Sequence, residues 1–229
     1  MLSAKIARVN LPDTLLGEEW YWAAWAVWLL FFVHSLWRAP WSRLKNSELL
    51  NVWLGMVVFL TLIWSLKAGV KPGLSFHLLG ACVFTLSFGP RLAFIGLSLA
   101  TAGITLNGAA GTFAFGLNAL LLAGLGVAFS QMFYRLFSSL LPKHIFVYIF
   151  ANGFFGAALS IICVGFSISL LLALAGAYSW EYLIGEYFPY FLLLGFSEAW
   201  LSGMMMTLFV IYRPEWVITF DDSRYLTNK

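Results

Sequence analysis

Apolar runs of close to twenty residues recur along the whole chain, and no other feature narrows the possible folds so far. A helix needs roughly 20 apolar residues to cross the hydrocarbon core of a bilayer, because only a helix or a closed barrel satisfies its backbone there. The runs predict spans near Trp20–Trp37, Leu50–Leu66, Leu74–Phe88, Leu92–Leu106, Gly116–Phe137, His144–Tyr178 and Tyr187–Tyr212. Composition agrees. With 62% hydrophobic and 10% charged residues, 229 residues cannot cover a water-facing surface. The predicted fold is all-α, a polytopic membrane protein of about seven transmembrane helices over residues 20–212. A segment 1–19 precedes it and a tail 213–229 follows. Met1 to Leu16 lacks an apolar signal core with a cleavage site, so the N-terminus is expected to be retained.

The third and fourth spans are short, about 22 Å each at 1.5 Å per residue. Between them stands Gly89-Pro90-Arg91. Proline cannot donate to the helix ladder and arginine avoids lipid, so a tight hairpin is expected, a single kinked helix being the alternative. The sixth run is too long for one upright span, and its end, Ala177 to Trp180, reads as interfacial.

Seven spans place the termini on opposite sides. With the N-terminus outside, Arg38, Arg43, Lys45, Arg91, Arg135, Lys143, Arg213, Arg224 and Lys229 are inside, against Lys5, Arg8, Lys67 and Lys71 outside. That bias predicts an N-out, C-in orientation, with the tail cytoplasmic, and Glu181 and Glu186 on an outer loop. Trp20, Tyr21, Trp22, Trp25 and Trp28 crowd one end of the first span, and Trp37 and Trp41 mark the other, as amphipathic rings do at interfaces. Gly80, Gly124, Gly126, Gly153, Gly156 and Ala157 are expected where helices approach closely.

Several function classes fall away. Cys82 and Cys163 lie inside apolar runs without paired spacing, which gives neither a disulfide framework nor a thiolate cluster. A net charge of +3 without a basic, aromatic-interleaved run argues against nucleic acid as a partner. The glycines form no nucleotide-binding loop. Polar residues inside apolar runs remain: His77 with Ser75 beside it, Asn107 and Asn118 flanking "NGAAGTFAFGLN", and Glu198 deep in the seventh run, where a charge is costly unless paired. His34 sits near a span end and needs no role beyond reaching the interface. Met204, Met205 and Met206 point about 100° apart on a helix, so their thioethers cannot converge on one ion. Glu198 and His77 are the sole conceivable acid–base pair, and without a nucleophile or a set of histidines no enzyme is predicted.

Three blocks carry a resemblance. "GLSFHLLGACVFTLSFGPRLAFIGLSLA", "NGAAGTFAFGLN" and "SEAWLSGMMMTLFVIYRPEW" are similar, in order, to segments of the membrane substrate-binding subunit of energy-coupling-factor cobalt and nickel transporters, the CbiM/NikM family. The resemblance implies a seven-helix, N-outside receptor in the bacterial cytoplasmic membrane, with a divalent transition metal such as Ni2+ or Co2+ as its substrate. It implies His77 as a metal ligand, with Ser75, Asn107, Asn118 and Glu198 around the pocket. Asn118 would hold the glycine-rich outer segment near the site. It also implies partners: membrane lipid, a coupling membrane protein and cytoplasmic ATPases. Neutral imidazole suits nickel, cobalt, copper or zinc. Where metal-specific members begin Met-His this chain begins Met-Leu, it has Asn107 where an acid is common and Tyr190 where a histidine is common, and Asp13, Glu18 and Glu19 are candidate oxygen donors. The alternative expectation is an accessory or assembly subunit of another membrane complex that retains the fold. Neighbouring genes for ATPases would favour the first, and an oxidase or pump operon the second.

Overall fold

The computed structural model describes residues 11–65, 69–71, 74–75, 77–108 and 110–225, with residues 69–71 and 74–75 described by their backbone alone. Six long helices dominate: α1 (Glu18–Arg38), α2 (Ser47–Ser65), α3 (Ala81–Leu106), α4 (Phe115–Leu140), α5 (Ile145–Leu174) and α6 (Trp180–Tyr212), with a short α7 (Asp222–Tyr225) after them. Two very short strands, β1 (Gly69–Lys71) and β2 (Leu74–Ser75), pair antiparallel between α2 and α3. Five helices, α2 to α6, are long and apolar enough to cross a membrane. The 21 residues of α1 reach about 31 Å, which also matches a bilayer core.

The α3 run does not continue straight. Gly89 takes φ 78° and ψ 164°, a backbone state that glycine reaches without a Cβ clash, and Pro90 follows. Contacts with α2 show what happens there. A Cβ on Gly80 would fall 2.6 Å from Leu60, and one on Gly103 would fall 2.6 Å from Thr61. Leu60 and Thr61 are adjacent, so the beginning and the end of α3 lie at one level. Gly96 meets Phe84 in the same way, at 2.4 Å. The run is therefore a hairpin with a short limb, residues 81–88, and a long limb, residues 90–106. A side chain at position 96 would collide with the short limb. Gly96→Leu is expected to destabilise the protein by about 1–3 kcal/mol, the usual cost of overpacking. Thermal unfolding in detergent, followed by tryptophan fluorescence, checks this.

The short limb begins later than the apolar pattern suggests. The span predicted from Leu74 starts at Ala81, because residues 74 and 75 pair with β1 and Gly80 caps the helix with φ 66°. At eight residues, about 12 Å, this limb covers less than half of a hydrocarbon core. α3 is the most enclosed of the spanning helices, and its hairpin fills the middle of the bundle. The limb's carbonyl end is tied to the C-terminal segment: the N–H groups of Ile218 and Thr219 donate to Ser87 and Leu86 oxygens at 3.0 and 3.3 Å. The Thr219 hydroxyl donates to Leu86 as well. Those carbonyls have no partner within the helix, so the tail supplies what the turn cannot. Arg38, Arg43 and Arg91 gather at this same end, where Arg91 donates to the Arg38 carbonyl and Arg43 to the Glu215 carbonyl.

The last helix starts earlier than its apolar run. Ser179 caps it by accepting from the Tyr182 N–H, and residues Leu183–Tyr187 form a π-helical turn before Pro189. Glu181 and Glu186, expected on a loop, are thus exposed helical residues. Among the expected close approaches, Gly126 packs on Ala81 and Gly153 on Met206, whereas Gly124 makes only ordinary contacts, to Leu120 and Phe94.

Candidate functional site

Four residues, 77–80, link the ribbon to α3 without forming helix. Their backbone amides need partners where packing shields them from solvent. Glu198 provides them. Its Oε2 accepts from the Leu79 N–H at 2.8 Å and its Oε1 from the Gly80 N–H at 2.6 Å. Ser202, one turn further along α6, is hydrogen-bonded to the same carboxyl. Glu198 is 2% exposed, and its carboxyl lies at the N-terminus of the short limb, where a helix dipole favours an anion. The deep acid of the sequence is thus the cap of a half-length helix, joined to residues about 118 positions earlier.

His77 leaves this loop beside Trp64. The two rings lie 5.0 Å apart between centroids, and the Trp64 indole donates to the Leu78 carbonyl at 2.6 Å. Trp64 is fully buried. The His77 ring is held by this neighbour, with Nδ1 3.3 Å from the Leu78 oxygen. It lines a cavity of about 40 Å³ together with Leu11, Leu79, Asn118, Tyr187 and Phe191. The walls are otherwise aliphatic. A water needs about 10–15 Å³ on this measure, so the space suits one ion with a water or two and excludes a solute of cofactor size.

Asn118 closes the cavity by holding the chain that precedes α1. Its Oδ1 accepts from the Leu11 N–H at 3.1 Å, and its Nδ2 donates to the Leu11 carbonyl at 3.2 Å. A side-chain amide here pairs as a backbone strand would. The glycine-rich segment, expected to be the partner of Asn118, is tied by another residue: the Ala114 N–H donates to Asp13 Oδ1 at 2.8 Å. A Cβ on Gly111 would lie 2.1 Å from that oxygen, which explains the glycine. Asn118→Ala leaves two buried Leu11 groups unpaired. We expect a loss of about 2–3 kcal/mol and faster proteolysis ahead of α1, checked by unfolding and limited trypsin digestion.

The remaining expectations separate cleanly. Asn107 is exposed at the end of α3 and lines no part of the cavity. Glu198 lies behind Leu79 and Gly80 rather than in the cavity wall. The side chain of Ser75 and all of residues 1–10 lie outside the described residues. Glu18 and Glu19 are exposed in the first turn of α1. Cys82 is buried and donates to the Asn152 carbonyl at 3.2 Å; Cys163 is half-buried and unpaired with it. The methionines diverge, with Met204 exposed and Met206 buried. Among the described residues no three histidine, cysteine or acidic side chains converge as a metal cluster. Tyr187 and Leu11 are cavity residues that the sequence did not single out. An aromatic in "IGEYFPYF" reads as interfacial, and nothing local marks Leu11.

A family model described as the cobalt uptake substrate-specific transmembrane region, CbiM, matches residues 10–216. Two crystal structures share the fold. One is of a truncated transition metal transporter, with a TM-score of 0.76 and 19% identity, covering 89% of this chain and 99% of that one. The other is of a transition metal transporter, with a TM-score of 0.74 and 19% identity, covering 88% and 92%. No curated protein matches.

Proposed function

The chain belongs to the CbiM family of cobalt uptake transmembrane regions, and on that premise we propose that it is the substrate-binding membrane subunit of an energy-coupling-factor transporter for a divalent transition metal ion. One observation carries the reading: an imidazole, His77, faces a cavity of about 40 Å³ that is closed over by the chain at Leu11. The volume suits an ion, and the ligand type suits nickel, cobalt, copper or zinc. One imidazole leaves other coordination positions to fill. Among the described lining residues, Asn118 and Tyr187 carry the other side-chain nitrogen and oxygen atoms.

Each part of the site has a task in this reading. His77 binds the cargo. Trp64 fixes the ring, as the neighbours of metal-bound histidines do. Glu198 positions the loop that carries it, and Asn118 keeps the lid segment in place. Release requires this arrangement to open. The short limb of α3 offers a connection, since one end holds the His77 loop and the other is bonded to the C-terminal segment. A coupling membrane protein driven by cytoplasmic ATPases would act at the second end. We assign that end to the cytoplasmic side of a bacterial inner membrane, which agrees with the arginines gathered there.

Metal analysis of protein purified gently from cells grown with nickel or cobalt tests the reading. About one equivalent of transition metal is expected to remain bound. Protein that retains none, and is not stabilised by added nickel, cobalt, copper or zinc, would remove the proposal.

A further inference from the structure

A second concavity shares Leu121 with the wall of the His77 cavity. It lies between α1, the long limb of α3, α4 and α5, and holds about 570 Å³ between walls that include Val27, Phe31, Phe94, Leu120 and Leu171. Gly124 deepens it. A Cβ there would meet Leu120 at 3.7 Å and Phe94 at 3.8 Å, so a larger side chain has room to enter the groove. Along α4 the apolar part runs from Leu117 to Ala128, about 16 Å at 1.5 Å per residue. One leaflet contributes about 15 Å to the hydrocarbon core.

The groove changes character at one end. Pro90 and Arg91 bound it there, and an adjoining hollow of about 440 Å³ shares Pro90, Val127 and Ala128 while adding Gln131 and Arg135. Neither arginine has an acidic partner among the described residues, whose ion pairs join Arg213 to Glu48 and to Glu215. Arg91 spends one N–H on the Arg38 carbonyl and Arg135 is exposed. Gln131 lines the hollow with Arg135 and has a buried side-chain oxygen without a hydrogen-bond partner. Two permanent cations and an amide thus stand where an interface begins, at the end of a slot one leaflet long.

We propose that this groove is a specific site for an anionic phospholipid, with an acyl chain along Gly124 and the phosphate between Arg91 and Arg135. A neutral lipid would fill the slot but leave the cations unpaired. A soluble phosphate would meet the cations but gain nothing from the slot. The site depends on the membrane fold and not on the metal reading, so either can fail alone.

The test uses detergent-purified full-length protein with dioleoyl-phosphatidylglycerol, dioleoyl-phosphatidylcholine or sn-glycerol phosphate, read by native mass spectrometry and thermal shift. Phosphatidylglycerol is expected to bind and stabilise, while the other two do neither. A basic residue beside an anionic headgroup is worth about a factor of five, so the R91Q/R135Q double variant is expected to bind phosphatidylglycerol about thirty-fold more weakly. Gly124→Leu is expected to lose the lipid with both arginines intact and metal retention unchanged. Equal binding of phosphatidylcholine, an equal shift with sn-glycerol phosphate, or undiminished phosphatidylglycerol binding by both variants would overturn the proposal. So would a cross-link from Ala128→Cys to another membrane protein with no lipid retained, because a protein helix would then occupy the groove.

Discussion

Glu198→Ala is expected to destabilise the protein by about 2–6 kcal/mol, because it leaves the buried Leu79 amide and the half-buried Gly80 amide without acceptors at roughly 1–3 kcal/mol each. Both bonds are short, at 2.8 and 2.6 Å, and the Leu79 donor is buried. The loop 77–80 would then lose its fixed form and His77 its position, so metal affinity should fall with stability. Glu198→Gln separates these effects. A carboxamide keeps one acceptor oxygen but turns an NH2 group toward the other N–H, so about half the loss is expected. Unfolding midpoints and metal titrations on both variants check the order: wild type, then Gln, then Ala. If Glu198→Ala matched the wild type in both, the carboxyl would not be holding the loop.

His77→Ala should behave differently. The ring is held against Trp64 with its Nδ1 3.3 Å from the Leu78 oxygen, and loss of the ring contact is expected to cost about 0.5–1.5 kcal/mol. Its effect on cargo should be far larger. Loss of a residue that merely orients a metal-bound histidine already costs about 10–100-fold in affinity, so loss of the imidazole should cost at least about 100-fold. A folded protein that no longer binds metal is the expected signature. Nickel titration followed by calorimetry, alongside the unfolding midpoint, distinguishes it from the Glu198 variants, in which stability and affinity fall together.

The helices were legible in the sequence because a bilayer leaves the backbone few choices, and the predicted hairpin at Gly89-Pro90 followed from local chemistry. The start of its short limb was not legible. "LSFHLLGAC" is apolar enough to read as helix from Leu74, and nothing inside it shows that the amides at positions 79 and 80 are claimed by Glu198 on the last helix. Glu198 itself stood out as costly, yet its partners are backbone groups, which carry no signature in a sequence. Asn118 illustrates the same limit. Its position beside the glycine-rich segment suggested a nearby partner, whereas the amide pairs with Leu11, 107 residues away. Asn107, equally polar and equally close to that segment, is simply exposed. Residue types mark candidates, and only the packing of α3 against α2, α4 and α6 decides which of them meet.

The central claim is that the cargo metal is bound by His77. X-ray absorption at the nickel edge of protein loaded with one equivalent addresses it directly, because imidazole rings give a distinctive outer-shell scattering. The wild type is expected to show nitrogen and oxygen neighbours at about 2 Å with that imidazole pattern, and His77→Ala mixed with the same nickel to give the spectrum of the unbound aqueous ion. A wild-type spectrum without imidazole scattering, or an unchanged pattern in His77→Ala, would contradict the account.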